Sequence, residues 1–239
     1  MPITFWAQKT NTVPGEKDIV FSFFEYNIKD ETGIKDAFNT GYEIDLEWHK
    51  SQGDNWAWIG WYVTNGERRG RFIDATPNHL WSDFDNWNVN EVLNGKMNKI
   101  HWASYVEEPS GSYRIVLSEY SSSKEDWYTS KSLQVHKLEI SVSKEKVFNE
   151  FLKSYKTYLE SYLKDIQFIW MKTVSGGGNQ EYQLFICIDK MDQMEMANKI
   201  FSADQMPESL WEQYSEAVIS NDSEMWKYMP KLSLYPENK

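Results

Sequence analysis

The chain has 239 residues, a formal net charge of -11 at pH 7, and 41% hydrophobic residues that include 12 tryptophans. This content is enough to bury one large core or two smaller ones, which excludes a disordered chain. The negative charge repels phosphate groups, and Arg68, Arg69 and Arg71 are too few to form a basic patch. We therefore expect a compact soluble protein that binds neither nucleic acid nor a membrane surface.

The N-terminal sequence 1–17 has no basic leader, and no apolar run approaches the roughly 20 residues of a membrane span. Cys187 is the single cysteine, so no intrachain disulfide can form, and its apolar neighbours predict an inert buried thiol. These features favour a cytoplasmic protein. We expect a monomer or a homodimer.

The first half of the chain predicts strand, helix, strand, strand, helix and strand. The predicted strands are 19–29, 55–63, 68–75 and 99–106, and the predicted helices are 34–49 and 82–95. Asn65-Gly66 is a hairpin turn signal, Ser82 begins a capping box, and Gly95 is a predicted helix stop. Residues 113–120 predict an additional strand in the connector.

The second half repeats this order. The predicted strands are 133–142, 166–174, 182–188 and 231–235, and a long helix is predicted at 144–163. Residues 175–179, Ser-Gly-Gly-Gly-Asn, predict a hairpin turn. Helical segments are predicted from 192 to 227, with a break near Pro207.

Two copies of strand-helix-strand-strand-helix-strand correspond to two ferredoxin-like repeats, which we place at 1–125 and 126–239. Helices cover one face of each such sheet, so the two open faces can pack together. From about Ile19 to Tyr235 the chain resembles the tandem, single-chain form of the dimeric α+β barrel proteins. The resemblance implies an α+β fold with two sheets packed face to face, and it does not fix a function.

Alternation along the first strand of each repeat sorts its side chains into two faces. Phe21, Phe23 and Glu25 fall between the sheets, as do Val135, Lys137 and Glu139, while Phe24, Tyr26 and Ile28 face the helices. Glu25 and Glu139 thereby become interior carboxyl groups and candidate catalytic acids or bases. The alternatives are an internal ion pair, with Lys137, Lys172 or Arg71 as the partner, or simple exposure near a strand end.

His79 is a third catalytic candidate, since it follows a predicted strand together with Asp74 and Trp81. It could share a helix face with Asp83 as a metal ligand, but no third ligand accompanies them, and a solvated loop histidine is favoured. Some proteins of the resembled fold bind haem through a histidine in the C-terminal half. No histidine follows His136 here. We therefore predict neither a metal nor a cofactor.

Aromatic side chains on the strands suggest a pocket for a flat or apolar small molecule. The candidate ligand-binding residues are Trp58, Tyr62, Arg71, Asp74, Trp102 and Trp170. Three hypotheses remain open: a small-molecule-binding protein with its ligand between the sheets or at their rim, a cofactor-independent enzyme that transfers a proton, and a structural protein with a filled barrel.

Overall fold

The computed structural model of the protein describes residues 18–122, 126–178 and 180–236. The strands are β1 (Val20–Ile28), β2 (Ile59–Val63), β3 (Phe72–His79), β4 (Val106–Val116), β5 (Ser132–Ile140), β6 (Phe168–Ser175), β7 (Glu181–Ile188) and β8 (Val218–Tyr228). The helices are α1 (Ile34–Ser51), α2 (Glu91–His101), α3 (Glu145–Leu163), α4 (Gln193–Ala197) and α5 (Glu208–Ala217). Residues 1–17, residue 125 of the predicted repeat boundary and Asn179 of the predicted hairpin turn lie outside the described residues.

The strands close into one barrel in the order β1-β3-β2-β8-β5-β7-β6-β4, and every neighbouring pair is antiparallel. The first half pairs as β4-β1-β3-β2 and the second half as β8-β5-β7-β6, so the two halves have matching strand orders. Hydrogen bonds from β2 to β8 and from β4 to β6 join them. The predicted fold class, two ferredoxin-like repeats in an α+β barrel, is confirmed.

Aromatic side chains fill the interior of the barrel. The ring of Phe23 stacks on Trp61 and on Phe185, with centroid distances of 6.3 and 6.2 Å, and meets the edge of Trp226 at 6.2 Å. These side chains come from strands of both halves, which places them inside the barrel. The buried members of this cluster are Phe21, Phe23, Ile59, Trp61, Val63, Ile73, Ala75, Trp127, Tyr128, Leu133, Val135, Ile169, Met171, Phe185, Cys187 and Trp226. The middle of the barrel is therefore a packed core.

Helices cover the outside of the barrel in both halves. Helix α1 turns Phe38, Tyr42, Leu46 and His49 toward the sheet at intervals of three or four residues. In the second half, α3 buries a continuous apolar face against the strands. None of the helices in the described ranges is long and apolar enough to cross a membrane.

The turn between β2 and β3 is longer than the Asn65-Gly66 signal predicts. Strand β3 begins at Phe72 instead of residue 68, and Gly66 and Gly70 in the loop have φ angles of 77° and 96°, which favour glycine. Arg68 therefore lies in the loop. Its side chain turns toward one end of the barrel.

Strand β4 lies further along the chain than the sequence predicts. Helix α2 continues to His101, so the predicted stop at Gly95 and the strand predicted at 99–106 are wrong. The N-cap is Asn90, whose side chain accepts a hydrogen bond from the backbone N–H of Leu93. Pairing with β1 and β6 fixes β4 at Val106–Val116, so much of the connector strand predicted at 113–120 belongs to β4.

The C-terminal strand also differs from the prediction. Helix is predicted up to residue 227, but α5 ends at Ala217 and Val218 begins β8. Backbone pairing with β5 and β2 holds this polar strand, and its composition gives little sign of that pairing. The strand predicted at 231–235 is a 3-10 turn followed by one bridge between Leu234 and Trp58.

Replacing Trp61 with alanine should lower the free energy of unfolding by about 3 to 5 kcal/mol, because removal of a large core side chain leaves a cavity. Trp81 is 45% exposed, so Trp81→Ala is the matched control and should cost less than about 1 kcal/mol. Urea unfolding measures both changes. Equal losses would contradict a close-packed barrel interior.

Candidate functional site

A cavity of about 270 Å³ lies outside the barrel, between the first-half sheet and the helices α1 and α2. Strand β1 lines it with Ser22, Phe24 and Tyr26, which alternation places on the helix-facing side of the sheet. The neighbouring strand β3 adds Asp74, which pairs with Phe24 in the sheet register. The floor of the cavity is thus a rigid sheet surface.

The two helices form the outer wall. Their lining residues recur at spacings of three or four, which places them on one side of each helix. These residues are Tyr42, Asp45, Leu46 and His49 on α1, and Glu91, Asn94 and Asn98 on α2. Further aromatic side chains complete the wall: Trp56, Trp58, Phe84, Trp87, Trp102 and Tyr113.

Asp74 is the buried carboxyl group in the floor of the cavity, with 1% of its surface exposed. Its Oδ2 accepts a hydrogen bond from the Tyr42 hydroxyl, and its Oδ1 has no hydrogen-bond partner among the described residues. Burial raises the pKa of Asp74 to about 7; the Tyr42 hydrogen bond opposes this change, and the charge of Asp45 adds to it. Asp74 can therefore gain or lose a proton near neutral pH.

Asp45 is the second buried acid at the cavity. The indole Nε1 of Trp102 donates to its Oδ2 at 3.0 Å. With its side-chain amide turned so that the nitrogen faces Asp45, Asn98 donates to both carboxylate oxygens at 3.1 Å. Burial raises the pKa of Asp45, while the hydrogen bond from Trp102 opposes the rise. Asp45 thus has partners for both oxygens, whereas one oxygen of Asp74 has none among the described residues.

His49 and Asp54 form a buried pair that holds part of the aromatic wall. Nδ1 of His49 lies 2.7 Å from Oδ2 of Asp54, which also accepts from Nε1 of Trp58 at 3.0 Å. The other oxygen of Asp54, Oδ1, accepts a hydrogen bond from Nε1 of Trp87 at 3.3 Å. Burial tends to raise the pKa of Asp54, but the hydrogen bonds, led by that of His49, hold it below the ordinary value.

Sequence reasoning missed this pair. The available signal was the position of His49 on the inward face of α1, one helical turn after Asp45 and close to Asp54.

Three of the predicted ligand-binding residues, Trp58, Asp74 and Trp102, meet at the cavity. Their place is on the outer face of the barrel, not between the sheets. Tyr62 also faces the helices, and Trp170 is fully buried in the core beneath α3, but neither lines this cavity.

Glu25 lies inside one end of the barrel, as alternation predicts, and it is an ion-paired carboxylate. Arg68 donates to its Oε2, and Nη2 of Arg114 donates to its Oε1 at 3.1 Å. The partners are these two arginines, not Lys137, Lys172 or Arg71, which were the predicted candidates. A doubly paired carboxylate is poorly suited to act as a free base.

Glu139 and Arg71 lie away from the cavity. Glu139 lies near the end of β5 with its side chain exposed to solvent, which is the strand-end alternative and not the interior position. Arg71 precedes β3, and its Nη2 lies 3.4 Å from Oε2 of the exposed Glu108.

His79 is buried behind the cavity wall, with its ring 4.0 Å from that of Trp56 between centroids. The solvated loop histidine favoured by the sequence is wrong, because β3 extends to this residue. Burial lowers the pKa of His79. Its Nδ1 is 4.0 Å from Oδ2 of Asp83, and no group of three or more His, Cys, Asp or Glu within the described ranges could hold a metal ion.

No protein-family profile and no curated protein matches the chain. Solved structures do match. An anthrone oxidase-like protein superposes with a TM-score of 0.60 and 8% identity, covering 90% of this chain and 92% of that chain. A proposed monooxygenase from Lactobacillus acidophilus superposes with a TM-score of 0.58 and 9% identity, covering 89% of this chain and 94% of that chain. A heme-binding protein from Thermus thermophilus superposes with a TM-score of 0.53 and 10% identity, covering 92% of this chain and 96% of that chain.

At these identities, the likeness shows the fold alone. The chain has the fold of the dimeric α+β barrel proteins, with both repeats in one polypeptide, as its strand order requires.

The heme-binding neighbour raises the question of whether haem fits this cavity. Asp45, Asp74 and Glu91 line it without any lysine or arginine, so the carboxylate groups of haem would meet like charge. The lining histidine, His49, has its Nε2 3.9 Å from Oδ2 of Asp45 and its Nδ1 engaged by Asp54. The residues present do not fit haem.

The raised pKa of Asp74 predicts a pH-dependent stability. The pKa of this carboxyl group is about 7 in the folded chain, compared with its ordinary value of 3.8, so the folded chain binds the proton more tightly than the unfolded chain does. The stability of the folded chain should therefore fall as pH rises from about 4 to about 7 and stay low above that, by at most about 4 kcal/mol.

Asp74→Asn should remove this loss, so the variant should be more stable than the wild type at pH 8 and similar to it at pH 4. Chemical denaturation at both values measures the difference. Asp85→Asn, at an exposed position, is the control and should have little effect. A stabilisation by Asp74→Asn that is the same at both pH values would contradict the assignment.

Proposed function

We propose that the protein binds a small, flat, largely apolar molecule in the outer cavity of the first half. One observation carries the proposal: an aromatic wall surrounds a buried carboxyl oxygen, Oδ1 of Asp74, that no described residue hydrogen-bonds. Small-molecule sites are typically apolar clefts with a few polar groups that orient the ligand. At about 270 Å³, the cavity is slightly smaller than the usual range for ligand sites, which favours a compact ring system.

The packed barrel interior supports this location. Phe23, Trp61 and Trp226 occupy the space between the two half-sheets, so the interior corresponds to the filled-barrel hypothesis. That hypothesis does not account for the outer cavity. An aromatic wall beside a buried acid with one unpartnered oxygen is costly as pure core, because buried polar atoms are normally hydrogen-bonded.

Isothermal titration calorimetry with 1-naphthol, a compact neutral ring system with one hydroxyl donor, tests the binding site. We expect saturable binding with one molecule per chain. Asn94→Trp places a large side chain on the cavity-facing side of α2 and should abolish binding. Lys96→Trp, at an exposed position of the same helix, should leave it unchanged. Equal binding by both variants would exclude this cavity as the site.

A second candidate function, proton transfer to Asp74 in a cofactor-independent enzyme, is favoured by the pKa of about 7 for that carboxyl. Two structural neighbours, an anthrone oxidase-like protein and a proposed monooxygenase, support an enzyme of this kind. Removing a methylene proton from an anthrone-like substrate gives an electron-rich anion that dioxygen can oxidise. Asp74 would accept that proton when ionised.

Oxygen uptake with anthrone, corrected for the uncatalysed rate, tests this second candidate. The rate should rise with pH through about 7 as Asp74 ionises, and Asp74→Asn should lower it by about a hundredfold or more. Asp85→Asn is the charge-matched control. The absence of catalysed uptake, or a rate that Asp74→Asn leaves unchanged, would exclude Asp74 as the base for this substrate class.

A further inference from the structure

We infer that the ligand of the outer cavity is an organic cation: a protonated amine carried on an aromatic or apolar body. This inference rests on the proposed small-molecule site and names its ligand class. It follows from the charge of the cavity, from its aromatic side chains, and from Oδ1 of Asp74, an acceptor that no described residue hydrogen-bonds.

The charged side chains at the cavity are acidic. Asp45 and Asp74 lie at its wall and floor, and Glu91 lies at the start of α2, while no lysine or arginine is among the lining residues. The charge of Asp45 also raises the cost of ionising Asp74. A bound cation would reduce this repulsion, which a neutral or anionic ligand cannot do.

Aromatic rings surround the same space. Phe24, Trp58, Trp87 and Trp102 are among its lining residues, and indole has the most favourable ring face for a cation. The protein already uses such contacts elsewhere, since the Lys35 ammonium lies 4.0 Å from the ring centroid of Tyr62. A ligand with an ammonium group and an apolar body would thus match both the acids and the rings.

Hydrogen bonding points to the same class of ligand. Oδ1 of Asp74 is a buried acceptor without a partner in the described part of the chain, and an ammonium group offers three donors. Ser22 and Asn94, which also line the cavity, have oxygens that could accept the others. The tyrosine hydroxyl already bound to Asp74 occupies only its other oxygen.

Three probes of similar size and different charge test the inference by calorimetry at pH 7.5: 2-phenylethylamine as the cation, 2-phenylethanol as the neutral molecule and phenylacetate as the anion. We expect the amine to bind at least tenfold more tightly than the alcohol, and phenylacetate to bind most weakly. This comparison uses the wild-type chain, so it does not depend on how a variant folds.

Asp74→Asn should bring the amine and the alcohol to within about threefold of each other, while Glu47→Gln, an exposed charge change on α1, should keep the difference. Affinity of the wild type for the amine should rise by up to about tenfold between pH 6 and pH 8, because Asp74 ionises over this range while the amine stays protonated.

The outcomes separate this inference from the proposed site. If the alcohol binds as tightly as the amine, and Asn94→Trp blocks both, the cavity is a binding site and the cation inference is overturned. If neither these probes nor 1-naphthol bind, the proposed site and the inference both fail. A preference for the amine that Asp74→Asn removes and Glu47→Gln retains supports the inference.

Discussion

The packing of aromatic rings inside the barrel is the constraint on which the rest of the structure depends. Phe23 and Trp61 from the first half meet Phe185 and Trp226 from the second half, so the two half-sheets share one packed core. This core orients both repeats, because alternation along each strand then sends the other side chains outward toward the helices. It also fills the middle of the barrel, whereas the cavity of about 270 Å³ lies on an outer face, beneath α1 and α2.

The two outer faces differ although their strand orders match. Helix α3 packs large rings such as Phe148, Phe151 and Tyr155 against the second-half sheet, and all are fully buried. Helix α1 turns polar Asp45 and His49 toward the corresponding space of the first half. Helix α2, in addition, has no buried residue. The first half therefore has a cavity with polar groups, and the equivalent face of the second half is a packed hydrophobic core.

The class of fold was predictable from the sequence because the spacing of hydrophobic residues and the turn signals depend only on neighbouring residues. The same order of elements also occurs twice, once in each repeat. The sequence predicted the interior positions of Phe21, Phe23 and Glu25 for the same reason. It misplaced β4 and β8, since these strands are fixed by pairing with strands distant in sequence and carry few apolar residues of their own. A single sequence shows which residues favour a strand, but not where a partner strand will hold them.

The candidate site was predictable only in part, for a related reason. Asp74, Trp58 and Trp102 were identified as ligand-binding candidates by residue type, and all three line the cavity. The expectation that a ligand lies between the sheets or at their rim came from expecting a hollow barrel. Trp58 and Trp102 belong to the helix-facing side, and the His49–Asp54 pair that fixes part of the wall joins a helix end to a loop. Such a pair is formed by tertiary packing, which the spacing of hydrophobic residues and the secondary-structure propensities of single residues do not predict.

The energetics of Asp74 connect the fold to its proposed use. An ionised carboxylate beneath an aromatic wall, with one oxygen lacking a partner, lowers the stability of the folded chain at neutral pH. Tyr42 relieves only part of this cost, since it reaches a single oxygen. Residues that break a local rule of packing without an evident structural gain tend to mark functional sites. A hydrogen bond from a ligand to Oδ1 of Asp74 would hold the ligand and would also lower the cost of burying this carboxylate. Binding and folding would therefore be coupled through Asp74.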